Sequence, residues 1–229
     1  MTYDASNDNI CTQKTFHKIK MHGGEYMNVE FGELMAVSMV GNIMSRLQIK
    51  ENDMQKGIEA EKVTVLLPKA IVYGRVNHER LAEYEVKKDS GRFRMTIAND
   101  IVIKLTTPYS CALITNADED LLVPSYCMIC RGINTQKVDL DYLVGYLNTE
   151  YVMHFFTAGV AATTNSMLKP KDVHRLPIPM LPLEEQRKLG RLYRLSSEKQ
   201  LLLKQMLKNE KAMVNNIITS AISEAVKDE

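Results

Sequence analysis

Residues 176–189 read LPIPMLPLEEQRKL, and this stretch divides the chain into two unlike parts. Pro177, Pro179 and Pro182 stand almost together. Proline lacks an N–H and fixes its own φ, so this spacing forbids a helix or a central strand and predicts a stiff extended connector over 175–182. From Leu183 to Val226 there is no proline and a single glycine, Gly190. That predicts one helix over 183–226, roughly 66 Å long at about 1.5 Å per residue. Leu192, Leu195, Leu202, Met206, Met213 and Ile217 form one apolar stripe, flanked by Leu203, Leu207, Val214, Ile218 and Ala221, with Lys199, Lys204, Lys208 and Lys211 mostly off it. A helix longer than the body beside it cannot bury such a stripe on its own domain. The expected partner is a second long helix, and since this chain has only one, the partner is either a second copy or a different protein.

Upstream of the connector the pattern changes to short stretches rich in β-branched and aromatic residues, bounded by Pro, Gly, Asn or Asp. Strands are expected at 63–67, 70–73, 101–105, 111–115 and 126–131, with turns at Leu67-Pro68-Lys69-Ala70 and Ala98-Asn99-Asp100. Asp139 to Phe156 has apolar residues at three- and four-residue steps, which predicts one helix, stopped by Gly159. Residues 1–27 are polar, carry Gly23 and Gly24, and read as a loosely held leader. The fold class expected is α+β, a mixed β-rich body followed by one long coiled-coil-type helix.

Composition narrows the functional classes. The chain has 229 residues, 45% hydrophobic and 25% charged, with a formal net charge of +1. No apolar run approaches the roughly 18 residues of a membrane span, and four cysteines with no apolar leader argue against a secreted disulfide scaffold. A non-membrane, cytoplasmic protein is expected. The near-zero charge gives no global sign of nucleic-acid binding. Locally, residues 62–94 hold eight basic residues against four acidic ones, and 163–175 adds Lys169, Lys171 and Arg175 beside Thr163, Thr164 and Asn165. Arg can grip a guanine edge or a phosphate with two hydrogen bonds, and Asn can do the same for adenine.

Catalytic chemistry is not expected. Cys127-x-x-Cys130 has thiolate spacing for zinc or a reactive disulfide, but a second ligand pair is missing and the motif lies in an apolar strand, so buried strand cysteines are the preferred reading. His17, His22, His78, His154 and His174 are scattered and read as structural or surface residues. Glu85-Val86-Lys87 matches the Glu-x-Lys half of a nuclease site, but the nearest upstream aspartate, Asp53, is far back, and a solvated charged face is the simpler reading. There is no phosphate-binding glycine loop and no nucleophile elbow. Neither a metal nor a cofactor is expected.

Pro182, Glu185 and Gln186, after Pro177 and Pro179, supply a proline-rich connector ending in Pro-x-x-Glu-Gln at the head of a long helix. This junction resembles the one that follows each target-recognition domain in specificity (S) subunits of Type I restriction-modification enzymes. The resemblance extends in the family's order through VEFGELMAVSMVGN (29–42), NDIVIKLTTP (99–108), LLVPSYCMICRG (121–132), DLDYLVGYLNTE (139–150) and AGVAATTNSMLKPKDVHRLPIP (158–179). One departure is Asn99, which stands where the family's Gly-Asp strand start usually has Gly.

The resemblance implies a non-catalytic reader of double-stranded DNA that directs a modification (methyltransferase) subunit and, where present, a restriction subunit. S subunits usually carry two target-recognition domains and two long helices paired antiparallel; this chain has one of each and looks like half of one. The implied division is a leader over 1–27, a DNA-binding target-recognition domain over 28–181 and a pairing and spacing helix over 182–229. Pairing is expected with a second copy or another S-like chain, giving a symmetric bipartite site in the homodimer. Arg75, Arg80, Arg92, Arg94, Thr164, Asn165 and Lys169 are the expected DNA contacts. A surface for the modification subunit is expected around Glu185 and Gln186, although a carboxylate there also simply suits a helix start. The competing readings are an orphan coiled-coil interaction module or recombination cassette without DNA-reading activity, and a nuclease using Glu85. From Pro182 onward there are nine basic and seven acidic residues, so a reader this neutral should bind DNA weakly alone and depend on a basic partner.

Overall fold

A computed structural model describes residues 19–21, 24–88, 91, 93–161 and 167–225. In chain order the strands and helices are β1 (Ile19–Met21), β2 (Gly24–Tyr26), β3 (Asn28–Glu30), β4 (Val37–Val40), α1 (Met44–Leu47), α2 (Glu51–Gln55), β5 (Ala60–Val65), β6 (Ile71–Val72), β7 (Arg75–Val76), β8 (Ala82–Lys87), β9 (Ile101–Lys104), β10 (Cys111–Leu113), β11 (Cys127–Arg131), α3 (Leu140–Leu147), α4 (Glu150–Ala161), α5 (Pro170–His174), β12 (Pro177–Pro179) and α6 (Leu183–Ala225). This is the expected β-rich body followed by one long helix.

The centre is an antiparallel sheet in the order β10-β9-β11-β4. Its inner strands read as nearly unbroken apolar runs because both faces are covered. Ile101, Ile103, Met128 and Cys130 face the core beneath α3, α4 and α5, among Leu143, Val152, Phe156 and Val173. The alternate residues Val102, Cys127 and Ile129 face a second core with Leu66, Ile71 and Val76. The period of two thus sends Cys127 and Cys130 to opposite faces, where neither can share a ligand with the other. Burial pushes the Cys127 thiol up to about 12 and raises that of Cys130 as well. They are buried strand cysteines, as expected. A third cluster, Leu47, Val65, Val86 and Leu122, sits under the β5–β8 ribbon.

Two local details carry sequence logic. Asn99 has φ 68°, in the left-handed region that favours glycine and that asparagine tolerates best among other residues. The next residue, Asp100, is buried and takes two hydrogen bonds from Arg131, at 2.9 and 2.7 Å, which ties the start of β9 to the end of β11. Tyr73 and Gly74, both with positive φ, make the two-residue turn between β6 and β7.

Three expectations change. The single helix over 139–156 is two helices: Asn148 caps the end of α3, its N–H still bonding Val144 O at 3.2 Å, while its side chain accepts from Cys111 N–H at 3.0 Å and donates to Cys111 O at 3.2 Å. Gly159 does not stop α4, which runs to Ala161. The leader is not wholly unstructured: β1 and β2 pair antiparallel, while residues 1–18, 22 and 23 lie outside the described residues. The proline connector is extended as expected, and β12 pairs only with β3 among the described residues. Tyr142 and Tyr146 donate their hydroxyls to Pro179 O and Pro177 O, at 2.8 and 2.7 Å, so the prolines' carbonyls are satisfied although they have no N–H to offer.

Candidate nucleic-acid and partner interfaces

The long helix is docked at its root and bare beyond it. Gln186 is 1% exposed; its Oε1 accepts from Asp139 N–H at 3.0 Å, and its Nε2 donates to Leu181 O at 2.8 Å and to Lys137 O at 3.3 Å. It therefore fastens the head of α6 to the connector and to the cap of α3, and within the junction where a surface for the modification subunit is expected the Gln186 side chain is itself buried. Glu185 is exposed. One turn on, Gly190 is where α6 meets α3: a Cβ there would lie 2.3 Å from Asp139 Oδ1 and 2.6 Å from Tyr142 N. Tyr193 then enters a slot between two more glycines, since a Cβ on Gly145 or Gly74 would come within 2.9 and 2.6 Å of the tyrosine side chain. Burial pushes the Tyr193 hydroxyl up to about 12. Ser197 is the last fully buried residue of the helix.

The expected DNA contacts are scattered by the fold. Arg75 donates to Asp141 Oδ1 at 2.8 Å, and Arg194 of α6 lies 3.3 Å from the other carboxylate oxygen, so Arg75 belongs to the joint between body and helix. Arg94 donates from its side chain to Val40 O and Gly41 O, and its N–H bonds Asn42 Oδ1. Arg75 is half-buried, whereas Arg94 stays exposed while its NH1 makes these bonds. Arg80 is partly exposed and donates to Lys69 O at 3.2 Å. Lys169 occupies the position before α5, makes no side-chain bond to the helix start, and is half-exposed. Arg92, Thr164 and Asn165 lie outside the described residues. The local basic excess is also reduced by pairing: Lys87 meets Asp53 at 2.9 Å and Lys88 meets Glu59 at 2.7 Å. Asp53 thus approaches the Glu-x-Lys segment as an ion-pair partner of Lys87, and no group of three potential metal ligands occurs among the described residues. Two histidines serve structure: His78 bonds Asp118 and His174 bonds Ser38, at 2.7 and 2.8 Å.

A feature with no counterpart in the sequence expectations is a basic groove of about 720 Å³ between the 76–80 turn and α6, where Arg80 and His78 face Lys204, Lys208 and Lys211. Lys208 holds Glu79 at 2.6 Å, and this pairing keeps the glutamate's carboxyl below its usual range. The signal was present as lysines off the apolar stripe, but only the docking angle of α6 shows which of them meet the body.

All six stripe residues expected at a partner interface are exposed, from Leu195 at 49% to Met206 at 67%. Leu203, Leu207, Val214, Ile218 and Ile222 extend the same bare surface. No helix among the described residues is long and apolar enough to cross a membrane.

No protein-family model matches the chain, and no curated protein matches it. Solved structures do. A chain from a structural study of complex assembly and conformational transition of the type I R-M system superposes with a TM-score of 0.57 at 16% identity, covering 84% of this chain and 47% of that one. The HsdS subunit from Thermoanaerobacter tengcongensis superposes with a TM-score of 0.54 at 17% identity, covering 78% of this chain and 44% of that one. The chain spans less than half the length of either. A β-rich body with one docked helix, matching part of chains about twice as long, has the fold of type I R-M specificity (S) subunits.

Proposed function

We propose that this chain is a DNA sequence-recognition subunit of a Type I restriction-modification enzyme, binding one half-site and directing modification and restriction subunits to it. The observation that carries the reading is the match of body and helix together to one portion of S subunits, with the helix's apolar face left bare. In this reading the chain performs no chemistry. It reads bases through loops, and a second copy paired along α6 supplies the other half-site. Arg80, Arg94 and Lys169, with Arg92, Thr164 and Asn165, are the contacts proposed for DNA. Arg75 is reassigned to holding the helix on the body.

Mapping methylated positions in DNA of the source cell, with the gene intact and deleted, tests the reading. The expected result is a symmetric bipartite site whose methylation disappears on deletion. Unchanged methylation would leave an interaction module without DNA-reading activity. Arg80→Ala and Lys169→Ala, assayed in complex with the modification subunit, should each weaken binding and make its salt dependence shallower, by about one unit of slope for each phosphate no longer gripped.

A further inference from the structure

The bare face of α6 is not uniformly apolar. Counting about 3.6 residues per turn from Leu192 brings Lys199, Leu203, Met206, Glu210 and Ile217 to the same side of the helix, so one lysine and one glutamate stand in the middle of the stripe. Both are exposed. Their neighbours three and four residues away are Leu195, Ser196, Leu202 and Leu203 for the lysine, and Met206, Leu207, Met213 and Val214 for the glutamate. Neither has an opposite charge at the spacing that makes intrahelical pairs, and no ion pair to either occurs among the described residues. The body cannot supply one, because Gln186, Gly190, Tyr193 and Lys208 turn the opposite side of the helix towards it.

Lys199 and Glu210 are equidistant from a point between Lys204 and Gln205. Reversing the helix about that point and laying it on itself sets Lys199 against Glu210 and Glu210 against Lys199. The same operation sets Leu192 against Ile217 and Leu195 against Val214 towards the ends. In the middle it sets Leu202 against Leu207 and Leu203 against Met206. A shift of one turn in either direction puts the lysine opposite Met206 or Met213 and the glutamate opposite Leu195 or Leu202. A parallel pair in register puts lysine on lysine and glutamate on glutamate. Unpaired charge or like-charge contact in an apolar seam excludes those alternatives.

We infer that, when two copies pair antiparallel along this face, the two-fold axis lies between Lys204 and Gln205 and the two Lys199–Glu210 pairs across it fix the register. This rests on the pairing put forward under the proposed function and adds its geometry. Both bodies stay on the outer sides of the pair, clear of the seam.

Charge reversal of the full chain tests it, read as the dimer dissociation constant by sedimentation velocity, with circular dichroism to check that the helix is retained. Lys199→Glu and Glu210→Lys should each weaken self-association by about tenfold or more, since each puts like charges face to face twice. The double variant Lys199→Glu/Glu210→Lys should return to within a few-fold of the wild type, and a mixture of the two single variants should form a heterodimer in preference to either homodimer. A wild-type chain that stays monomeric at tens of micromolar overturns the pairing itself. A wild-type dimer whose single variants are unaffected, or whose double variant is not restored, overturns the register and leaves the pairing standing.

Discussion

The two halves of α6 obey opposite rules. At the root, the buried residues are polar or small, Gln186, Gly190 and Ser197, with Tyr193 partly buried between glycines, while Leu189, Leu192 and Leu195 on the other side are about half exposed or more. Beyond Ser197 the body meets the helix through the Lys208–Glu79 pair and through Lys204, whose Nζ lies 5.8 Å from the centre of the Tyr73 ring, and leucine, methionine and isoleucine stand bare down the opposite face. The root is held by shape and hydrogen bonds to one defined neighbour. The distal half leaves its apolar surface uncovered by the described residues. Hydropathy alone would have docked the wrong face of the root, because a close helix–helix approach favours absent side chains over large ones.

That contrast can be broken from the root downward. Gly190→Val should have the largest effect, because its side chain collides with the backbone of Tyr142 as well as with Asp139; a loss of about 3 kcal/mol of stability is expected in thermal or denaturant unfolding. Gln186→Ala, which strands the Asp139 N–H and two carbonyls, should cost about 2 kcal/mol in the same measurement. On the distal half, Met206→Gln should change the stability of the body by less than about 0.5 kcal/mol while weakening self-association in sedimentation. If Met206→Gln unfolds the body as severely as Gly190→Val does, the two halves are not separate in the way described.

The core responds to pH on the alkaline side. Burial raises the Cys127 thiol from 9.0 to about 12 and the Tyr142 hydroxyl from 10.0 to about 12. Below the unfolded values both groups are neutral in either state and their burial contributes fully. As the pH rises from about 9 towards 12 the unfolded chain ionises first, and stability is lost across that window. Unfolding midpoints followed over this range should fall, and Cys127→Ala should flatten the first part of the decline.

Much of this was legible in the residues. The proline cluster at 177–182 and the proline-free run after it predict the extended connector and the long helix, since proline removes a donor wherever it stands. The runs at 101–105 and 126–131 predict strands, which the fold forms over Ile101–Lys104 and Cys127–Arg131. The break at Asn148 was not legible, because asparagine is tolerated in a helix and the strand that its side chain bonds while capping α3 is far away in sequence. The DNA-facing residues were the least legible. Charge in sequence does not say which arginines are already engaged, and Arg75 and Arg94 bond partners as distant as Asp141 and Val40.

The two-part architecture and the existence of a long apolar stripe could be read from residues alone, because backbone chemistry and helical periodicity are local properties. Only the tertiary structure decided which side of α6 meets the body, which arginines are engaged internally, and that Lys199 and Glu210 face away from the body. Those follow from three glycines, Gly74, Gly145 and Gly190, that let α6 approach closely at one angle. An angle between packed elements depends on the fit of surfaces distant in sequence, which no single stretch encodes.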